Sequence, residues 1–383
     1  MPGIKNRQAA VRAFRTSKRE IAFDPHLVIL SENAAVYKSQ CSIAFSPINR
    51  VTALLAAHQL ITVLILAHNE EENITHCLES IGKDYKVFVV DSGSTDRTSE
   101  ICEAFGALVF RHPYTTHASQ WQWALENLPI TTPWVLALDA DFVVTAALCA
   151  KLTQDIPKVP DDVDGIYIRH LYRFGWGTIR FGGTKRYWLR IIRHGFASPD
   201  SSDLVDFRFV VKRRVVVWQE SVIEYNRKDD DISVWIGKQD KFALRLAVEE
   251  ELRRRGLHAW DGVPRLLGTT DERFAWLRDR WLRLPLFLRP VLYFFYRYVI
   301  AGGMWDGRAG FLYHVLQGFW LRLIVDWKTI QLRNVGLKDD ELREFGRAML
   351  QTRSGSVGEV LQVLQVCLSQ QGEGHKISTT QKS

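Results

Sequence analysis

The 383-residue sequence is poor in cysteine, and its five cysteines form no CxxC pair and no cluster with histidine. Both absences argue against a disulfide scaffold and against a structural zinc site. An odd number of widely spaced cysteines is typical of a reducing compartment. The charged N-terminus from Met1 to Glu20 also lacks the apolar stretch of a secretory signal. We therefore expect a cytoplasmic protein.

Glycine-rich phosphate loops are also missing. Neither GxGxxG nor GxxxxGK[ST] occurs in the sequence, which weakens a dinucleotide-binding or a P-loop interpretation. A bound phosphate would then need a metal ion to neutralise its charge.

Long apolar runs are scarce as well. The mostly apolar stretch from Val51 to Ala67 is slightly short for a bilayer span and contains His58 and Gln59. Its second half is rich in β-branched residues and runs into polar residues, so we favour a buried parallel strand over the alternative of a membrane helix. Residues 1–59 show no sustained periodicity, and we treat them as an N-terminal extension.

What is present is the composition of an ordinary folded protein, with 46% hydrophobic and 24% charged residues. From residue 61 to about residue 150, short apolar runs alternate with amphipathic segments of helical length. This alternation predicts βαβ units and a mostly parallel sheet flanked by helices, an α/β fold of the Rossmann-like type. A helix is expected from about Glu71 to Ile81, with Asn69 as its N-cap and Glu72 completing a capping box.

Acidic residues follow three of the predicted strands: Glu70 after the first, Asp91 after the second, and Asp139 and Asp141 after the fourth. Ligands of open parallel sheets bind outside the carboxyl ends of the strands. Oxygen ligands at such an edge suit a hard cation, Mg²⁺ or Mn²⁺. Taken singly, Asp91 is equally consistent with a helix cap and Glu70 with a solvated first-turn acid.

The same residues lie in segments that strongly resemble glycosyltransferase family 2, the inverting nucleotide-sugar enzymes of the GT-A fold. The segments are LILAHNEEENITHCLESI (64–81), VFVVDSGSTDRTSEIC (87–102) and SQWQWALENLPITTPWVLALDADF (119–142). The resemblance implies that Asp139 lies near the ribose and the metal ion, and that Asp141 holds a metal ion bridging the donor diphosphate. It also implies that four residues contact the nucleotide base and ribose: Ala67, Asn69, Glu70 and Asp91. Gln120 and Trp123 fall in a stretch that commonly lines the donor pocket, and we assign them no role.

Weaker similarity continues downstream, in LRIIRHG (189–195) and in the stretch from Asn226 to Gln239. It points to bacterial enzymes of lipopolysaccharide-core or exopolysaccharide synthesis, and so to a lipid-linked or saccharide acceptor. An inverting transfer needs a base for the acceptor hydroxyl. The acidic pair that many family members carry here is replaced by Tyr225 and Asn226, so Glu224 is the first candidate for the base and Asp229 the second. A solvated loop acid is an equally weighted alternative for Glu224.

The positive charge of the chain is concentrated near its C-terminal end. Residues 273–333 hold ten Lys/Arg and three Asp, an excess equal to the net charge of +7 of the whole chain, and they are rich in aromatic residues. We expect a helical layer in the interface of an anionic membrane, with arginines near lipid phosphate. The alternatives are a helical subdomain packed on the catalytic domain, a spanning helix, and single-stranded nucleic acid binding, of which we favour the last least.

These patterns predict a GT-A domain at 60–230, a helical and membrane-interfacial region at 231–353 and a polar tail at 354–383. The leading hypothesis is a metal-dependent inverting glycosyltransferase that is peripheral on the inner face of the cell membrane. It would use Mn²⁺ or Mg²⁺, a nucleotide-sugar donor and no nucleic acid. The alternatives are a polyprenyl-phosphate sugar synthase and a non-catalytic nucleotide-sugar-binding protein of envelope assembly.

Overall fold

The structure is a computed structural model that describes residues 59–183, 186–200, 208–257, 266–267, 270–352 and 354–370. The predicted N-terminal extension, apart from residue 59, lies outside the described residues. Residues 59–257 and 278–370 of the described chain belong to one compact unit, whereas residues 266–267 and 270–277 belong to a second.

One large sheet dominates the first half of the chain. Its strands, with those of a separate two-stranded ribbon, are β1 (Ile61–Ala67), β2 (Lys86–Asp91), β3 (Leu108–Arg111), β4 (Trp134–Asp139), β5 (Phe142–Val144), β6 (Val163–Phe174), β7 (Gly177–Ile179), β8 (Arg186–Arg193), β9 (Ala197–Asp200), β10 (Arg208–Val211) and β11 (Arg214–Glu224). The order in the large sheet is β3-β2-β1-β4-β8-β6-β11-β5, with β7 paired to β6, while β9 and β10 pair with each other.

The sheet is parallel where the sequence alternates and mixed beyond that point. Strands β3, β2, β1 and β4 are mutually parallel. Strand β8 then enters antiparallel to β4 and β6, β11 runs parallel to β6, and β5 is antiparallel to β11. The predicted α/β fold with a GT-A-like sheet is therefore confirmed, although only half of the sheet is parallel.

The central strand β1 shows why this sequence forms a covered sheet. All seven of its residues are buried. Ile61, Val63 and Ile65 pack into the core on one face of the sheet, and Leu64 and Leu66 pack into the core on the other. A strand that alternates between two cores is apolar throughout, which is the pattern of a parallel strand covered by helices on both faces.

The helices of the sheet region are α1 (Ile74–Ile81), α2 (Thr98–Phe105), α3 (His117–Asn127) and α4 (Ala146–Asp155). The expectation that α1 starts at Glu71 with a capping box on Asn69 is wrong. Asn69 has a left-handed backbone (φ 55°), and Asn73 is the N-cap without a side-chain capping bond. The side chain of Asn69 is used across the neighbouring loop instead, where its Oδ1 accepts the Thr95 N–H at 2.8 Å.

A helical region follows the sheet. Its helices are α5 (Ile232–Arg254), α6 (Thr270–Arg283), α7 (Leu288–Phe295), α8 (Gly307–Tyr313), α9 (Leu321–Val335), α10 (Asp339–Thr352) and α11 (Val357–Gln370), with π-helical turns at Tyr296–Ile300 and His314–Trp320. None of the helices in the described part of the chain combines the length and apolar character needed to cross a bilayer.

Helices α5, α9, α10 and α11 share a second hydrophobic core. Helix α11 lies in the stretch assigned to a polar tail, yet Val357, Val360 and Leu364 are buried in this core. The helical region therefore continues beyond the predicted boundary at residue 353.

Candidate active site

The register of the parallel strands brings the three acidic segments together. Ala67 at the end of β1 pairs with Asp91 at the end of β2, and Leu66 pairs with Asp139 at the end of β4. The predicted residues of these three strand ends therefore share the carboxyl edge of the sheet, where the ligand crevice of such sheets lies.

Asp91 and Asn69 are joined in one hydrogen-bonded loop. Oδ1 of Asp91 accepts the Ser94 N–H at 2.9 Å and the Ser94 hydroxyl at 2.5 Å, and Oδ2 accepts the Ser99 hydroxyl at 2.9 Å. The Asn69 N–H donates to Oγ of Ser94 at 2.8 Å. Asp91 is fully buried but is not the N-cap of α2, which is Arg97. The cap interpretation is thus wrong in detail, although Asp91 does organise this loop.

Asp139 contacts two basic side chains. An NH2 of Arg190 lies 2.9 Å from its Oδ2, and Nε2 of His117 lies 3.1 Å from its Oδ1. Burial would raise the pKa of Asp139, but the charges of Arg190 and His117 hold it well below its usual range. Asp139 is therefore ionised and already engaged at both carboxylate oxygens.

Asp141 is in the opposite electrostatic situation. Burial raises its pKa well above the usual value, and the neighbouring carboxylates of Glu224 and Asp139 raise it further. Glu224 comes close because β11 pairs with β5, which sets Glu224 opposite Phe142, and because the Tyr225 N–H donates to the Asp141 carbonyl at 2.8 Å. A cation bound beside Asp141 would therefore stabilise its ionised form against burial and against the neighbouring carboxylates.

Glu224 has a histidine partner of its own. Nε2 of His170 lies 2.9 Å from Oε2 of Glu224, and the imidazole ring stacks on Trp188 with ring centroids 4.0 Å apart. Burial would raise the pKa of Glu224, but His170 lowers it below its usual value. Glu224 is therefore held as an ionised carboxylate beside Asp141.

Asp229 lies in the short 3-10 turn Arg227–Asp230 that follows β11. Its Oδ2 accepts the Tyr172 hydroxyl at 3.4 Å and lies 3.3 Å from Nζ of Lys238. Its Oδ1 is buried and accepts no hydrogen bond from the described part of the chain. Burial raises the pKa of Asp229, with Lys238 and Tyr172 opposing the rise only in part.

Lys238 interacts electrostatically with the carboxylates of Asp229, Asp141 and Glu224. Burial would lower its pKa, but the charges of Asp229, Asp141 and Glu224 raise it above the usual value. A single ammonium group thus interacts with the candidate metal ligand and with both candidate bases.

The turn that carries Asp229 is hydrogen-bonded to the segment between β1 and α1. Nδ2 of Asn73 donates to Oδ1 of Asn226 at 3.0 Å, and the Arg227 N–H donates to Oδ1 of Asn73 at 2.8 Å. Nζ of Lys228 lies 3.5 Å from Oε2 of Glu70. Asn226, at the position where the expected acidic pair is missing, therefore serves to hold the turn in place.

Gln120 and Trp123 line the loop between β3 and α3. The amide of Gln120 donates to Oγ of Ser92 at 2.9 Å and to the His112 carbonyl at 3.0 Å. The ring of Trp123 stacks on His112 with centroids 4.2 Å apart. Both residues thus fix His112 beside the end of β2.

The comparison with protein families decides the assignment of this domain. The profile described as Glycosyl transferase family 2 matches residues 62–216, from β1 into β11. This part of the chain is a family 2 glycosyltransferase domain. Glu224 and Asp229 lie beyond the matched residues.

Two relatives are similar to parts of this chain. The lipopolysaccharide core biosynthesis glycosyltransferase LpsC of Rhizobium meliloti is 30% identical over 151 residues, 38% of this chain and 55% of the relative. An uncharacterized glycosyltransferase of Mycobacterium tuberculosis is 34% identical over 109 residues, 28% of this chain and 49% of the relative. The chain spans about half the length of these curated relatives.

Among solved structures, the glucosyl-3-phosphoglycerate synthase of Mycobacterium tuberculosis in complex with Mn²⁺, UDP and glucosyl-3-phosphoglycerate is similar to part of the chain. The identity is 21%, the alignment covers 36% of this chain and 52% of the other, and the TM-score is 0.26.

The donor set of the glycosyltransferase domain fits a metal ion that is shared with a ligand. No three His, Cys, Asp or Glu side chains within the described ranges are arranged to hold an ion by themselves. Mg²⁺ is usually held by one or two carboxylates together with substrate phosphates. Asp141 meets that requirement, whereas Asp139 has both carboxylate oxygens engaged by Arg190 and His117.

Sequence reasoning missed five side chains of the site: His117, His170, Tyr172, Arg190 and Lys238. The clearest signal was Arg190, a charged residue inside the apolar strand β8 between Leu189 and Ile191, where it is buried. A buried charge needs a partner, and the strand-end acids were the candidates. Tyr172 and His170 carried no such signal, because alternate polar residues are ordinary in a long strand.

Proposed function

We propose that this chain is a metal-dependent, inverting glycosyltransferase that moves a sugar from a nucleotide-sugar donor to a lipid-linked or lipopolysaccharide-type acceptor. The observation that carries the proposal is the carboxylate cluster of Asp141, Asp139 and Glu224 at the carboxyl edge of a family 2 glycosyltransferase domain. The pKa of Asp141, which burial and then the carboxylates of Glu224 and Asp139 raise, supports a bound cation at this cluster.

The donor side of the proposal uses the loops after β1 and β2. We assign Ala67, Asn69, Glu70 and Asp91 to the nucleotide base and ribose, and Asp139 to the ribose side of the metal. The support is their common edge and the fixed geometry of the Asn69–Ser94–Asp91 loop. Asp141 would hold Mn²⁺ or Mg²⁺, which when bound supplies charge stabilisation for the leaving diphosphate.

For the base we favour Asp229 over Glu224, which reverses the order suggested by the sequence. A general base works best when its pKa is close to the working pH. The pKa of Asp229 is raised, and its Oδ1 is left without a hydrogen-bond donor in the described chain. The pKa of Glu224 is lowered by His170, which suits a permanently charged neighbour of the metal better than a proton acceptor.

The acceptor class rests on the similarity to LpsC, whose name places it in lipopolysaccharide core biosynthesis. A lipid-linked acceptor would require the enzyme at a membrane surface. We therefore retain the peripheral location on the inner face of the cell membrane as part of the proposal.

The deciding experiment is Asp141→Asn in the full chain, assayed for nucleotide release from UDP-, GDP- and dTDP-sugars with Mn²⁺. We expect loss of metal-dependent turnover by a factor of about 10² or more, because removal of an electrostatic stabiliser of the transition state typically costs that much. The matched control is Asp162→Asn, an exposed acid before β6 at the opposite end of the sheet. Unchanged turnover in Asp141→Asn would remove the metal role of this residue, and no turnover by the wild type with any donor would favour a binding protein.

A further inference from the structure

Helix α7 and the π-helical turn that follows it present an apolar face to solvent. Eight side chains at spacings of one, three or four residues lie on this face, each between 40% and 67% exposed. They are Phe287, Leu288, Val291, Leu292, Phe295, Tyr296, Val299 and Ile300. Such spacing defines one side of a helix, which normally packs against a core.

The opposite side of the same helix is charged and buried. Arg289 contacts Asp326 and Glu250, and the Nε of Arg297 donates to the Gly182 carbonyl at 2.8 Å. The expectation that these two arginines face lipid phosphate is therefore wrong. The helix is turned so that its arginines point inward and its apolar side chains point outward.

The apolar face continues beyond the helix. Met304, Trp305 and Phe311 are exposed, with Trp305 at 71%. The loop after β7 joins this surface through Asp306, whose Oδ2 accepts the N–H groups of Arg180 and Phe181 at 3.0 and 2.9 Å. We call the eight residues of the helix, together with Met304, Trp305 and Phe311, the outward apolar face.

The charged residues around the outward apolar face indicate which kind of partner it fits. Asp306 is the sole acid between residues 284 and 325, and its carboxylate is occupied by the two backbone N–H groups. Arg180 and Arg308 are exposed beside it. An apolar surface with exposed tryptophan, arginine at its border and, within residues 284–325, no carboxylate other than the hydrogen-bonded Asp306 is complementary to the headgroup region of an anionic bilayer.

The face is also connected to the candidate catalytic carboxylate. Tyr313 on α8 packs against Tyr172, with ring centroids 5.4 Å apart, and the Tyr172 hydroxyl donates to Asp229. The helices that carry the apolar face thus support the residue that we assign to the acceptor hydroxyl.

We propose that the outward apolar face inserts into the interface of a lipid bilayer, and that apolar burial supplies most of the binding while the bordering arginines add an electrostatic part. This proposal rests on the membrane location within the proposed function, but it does not require catalysis. It differs from the expectation from sequence, in which the arginines of this region lie near lipid phosphate.

The test is flotation of the full chain with phosphatidylcholine vesicles and with vesicles that also contain phosphatidylglycerol. Each is measured at low salt and at about 1 M salt, where the Debye length falls to about 3 Å. We expect binding to both vesicle types that survives high salt. The double variant Phe295→Asp/Ile300→Asp should reduce the bound fraction by about tenfold or more, because both side chains would lose their burial in the apolar layer. The control is Leu108→Asp, a similarly exposed apolar residue on the edge strand β3.

Three results would overturn the proposal. The first is no flotation with either vesicle type. The second is binding that needs phosphatidylglycerol, disappears in salt and is unaffected by the double variant. The third is a wild-type dimer in solution that the double variant dissociates, which would assign the face to a second copy of the chain. Nucleotide release from donor sugars in detergent, measured on the same proteins, separates a failure of this proposal from a failure of the glycosyltransferase assignment.

Discussion

The guanidinium group of Arg190 lies 2.9 Å from Oδ2 of Asp139, and its central carbon lies 5.0 and 4.9 Å from the ring centroids of Phe142 and Trp188. Arg190 is buried on β8, the first antiparallel strand beyond the parallel half of the sheet. The contact therefore links the donor edge to the mixed half of the sheet and keeps Asp139 ionised.

Replacing Arg190 by glutamine should destabilise the protein at neutral pH. Loss of one partner of a buried ion pair typically costs about 3 kcal/mol or more. Because the folded-state pKa of Asp139 is depressed, its contribution is present above the unfolded pKa near 4 and is lost as the pH falls towards the folded pKa. Urea unfolding should thus show a large difference between wild type and Arg190→Gln at pH 7 that shrinks in acid.

The control for this pair is Arg214→Gln, which removes an exposed ion pair with Asp162 at 3.0 Å. Exposed pairs contribute about 0–1 kcal/mol, so its unfolding curve should nearly match that of the wild type. Equal losses in the two variants would contradict a stabilising buried pair between Arg190 and Asp139.

Asp229→Asn should abolish transfer while leaving donor binding intact. The substitution keeps the size of the side chain but removes the proton acceptor, and general-base catalysis contributes about 10² to 10⁴ in rate. Glu224→Gln should retain more activity, since we assign it no proton transfer. Single-turnover transfer and equilibrium binding of the nucleotide measure the two effects separately. If Glu224→Gln is the inactive variant, the base is Glu224.

Lys238→Met should move the acid limb of the pH profile of kcat/KM to higher pH. Lys238 lowers the pKa of Asp229, so its removal lets burial raise that pKa further. More Asp229 is then protonated near neutral pH, and activity there should fall but recover in alkaline buffer. The control Lys158→Met changes an exposed lysine that pairs with Asp155 at 3.0 Å. A profile that only scales down, without a shift, would contradict the role of Asp229.

Much of the parallel half of the sheet and its acidic edge was predictable, because the apolar run of β1 and the acids after it are contiguous in the sequence. The pairing of Asp139 with Arg190 was not, since it depends on β8 entering antiparallel beside β4, 51 residues away. The orientation of α7 could not be predicted from the sequence either. An amphipathic pattern shows that one side is apolar, but the anchoring of Arg289 by Asp326 decides which side faces outward.

Gly303→Ala should destabilise the junction between the loop after β7 and the helical region. A Cβ at this position would lie 2.3 Å from Nε2 of His314 and 2.9 Å from the Arg297 carbonyl. Burial and the charge of Arg297 lower the pKa of His314 to about 3, so the ring is neutral at pH 7 and packs as an apolar group. Overpacking of this kind costs about 2 kcal/mol, to be measured by chemical unfolding.

A second variant, His314→Ala, removes the ring that a Cβ at residue 303 would meet. In that background the cost of Gly303→Ala should fall, because one of the two close contacts is gone, though the Arg297 carbonyl remains. Gly237→Ala is the matched control: the residue lies in α5, where a new Cβ meets nothing within 4 Å. It should stabilise the protein by about 0.5–1 kcal/mol through helix propensity. Additive losses from Gly303→Ala and His314→Ala would contradict the steric explanation.

Arg289→Gln distinguishes a core arginine from a lipid-facing one. The Nε of Arg289 donates to Oδ1 of Asp326 at 2.6 Å, an NH2 lies 2.8 Å from Glu250, and both Arg289 and Asp326 are buried. Removing the guanidinium leaves two carboxylates without their shared cation, at a cost of about 3–5 kcal/mol. Arg308→Gln changes an exposed arginine on α8 and should alter stability by less than about 0.5 kcal/mol. If Arg289→Gln instead kept the stability of the wild type and lost vesicle binding, the arginine would serve the membrane rather than the core, and the inward orientation of this side of α7 would be wrong.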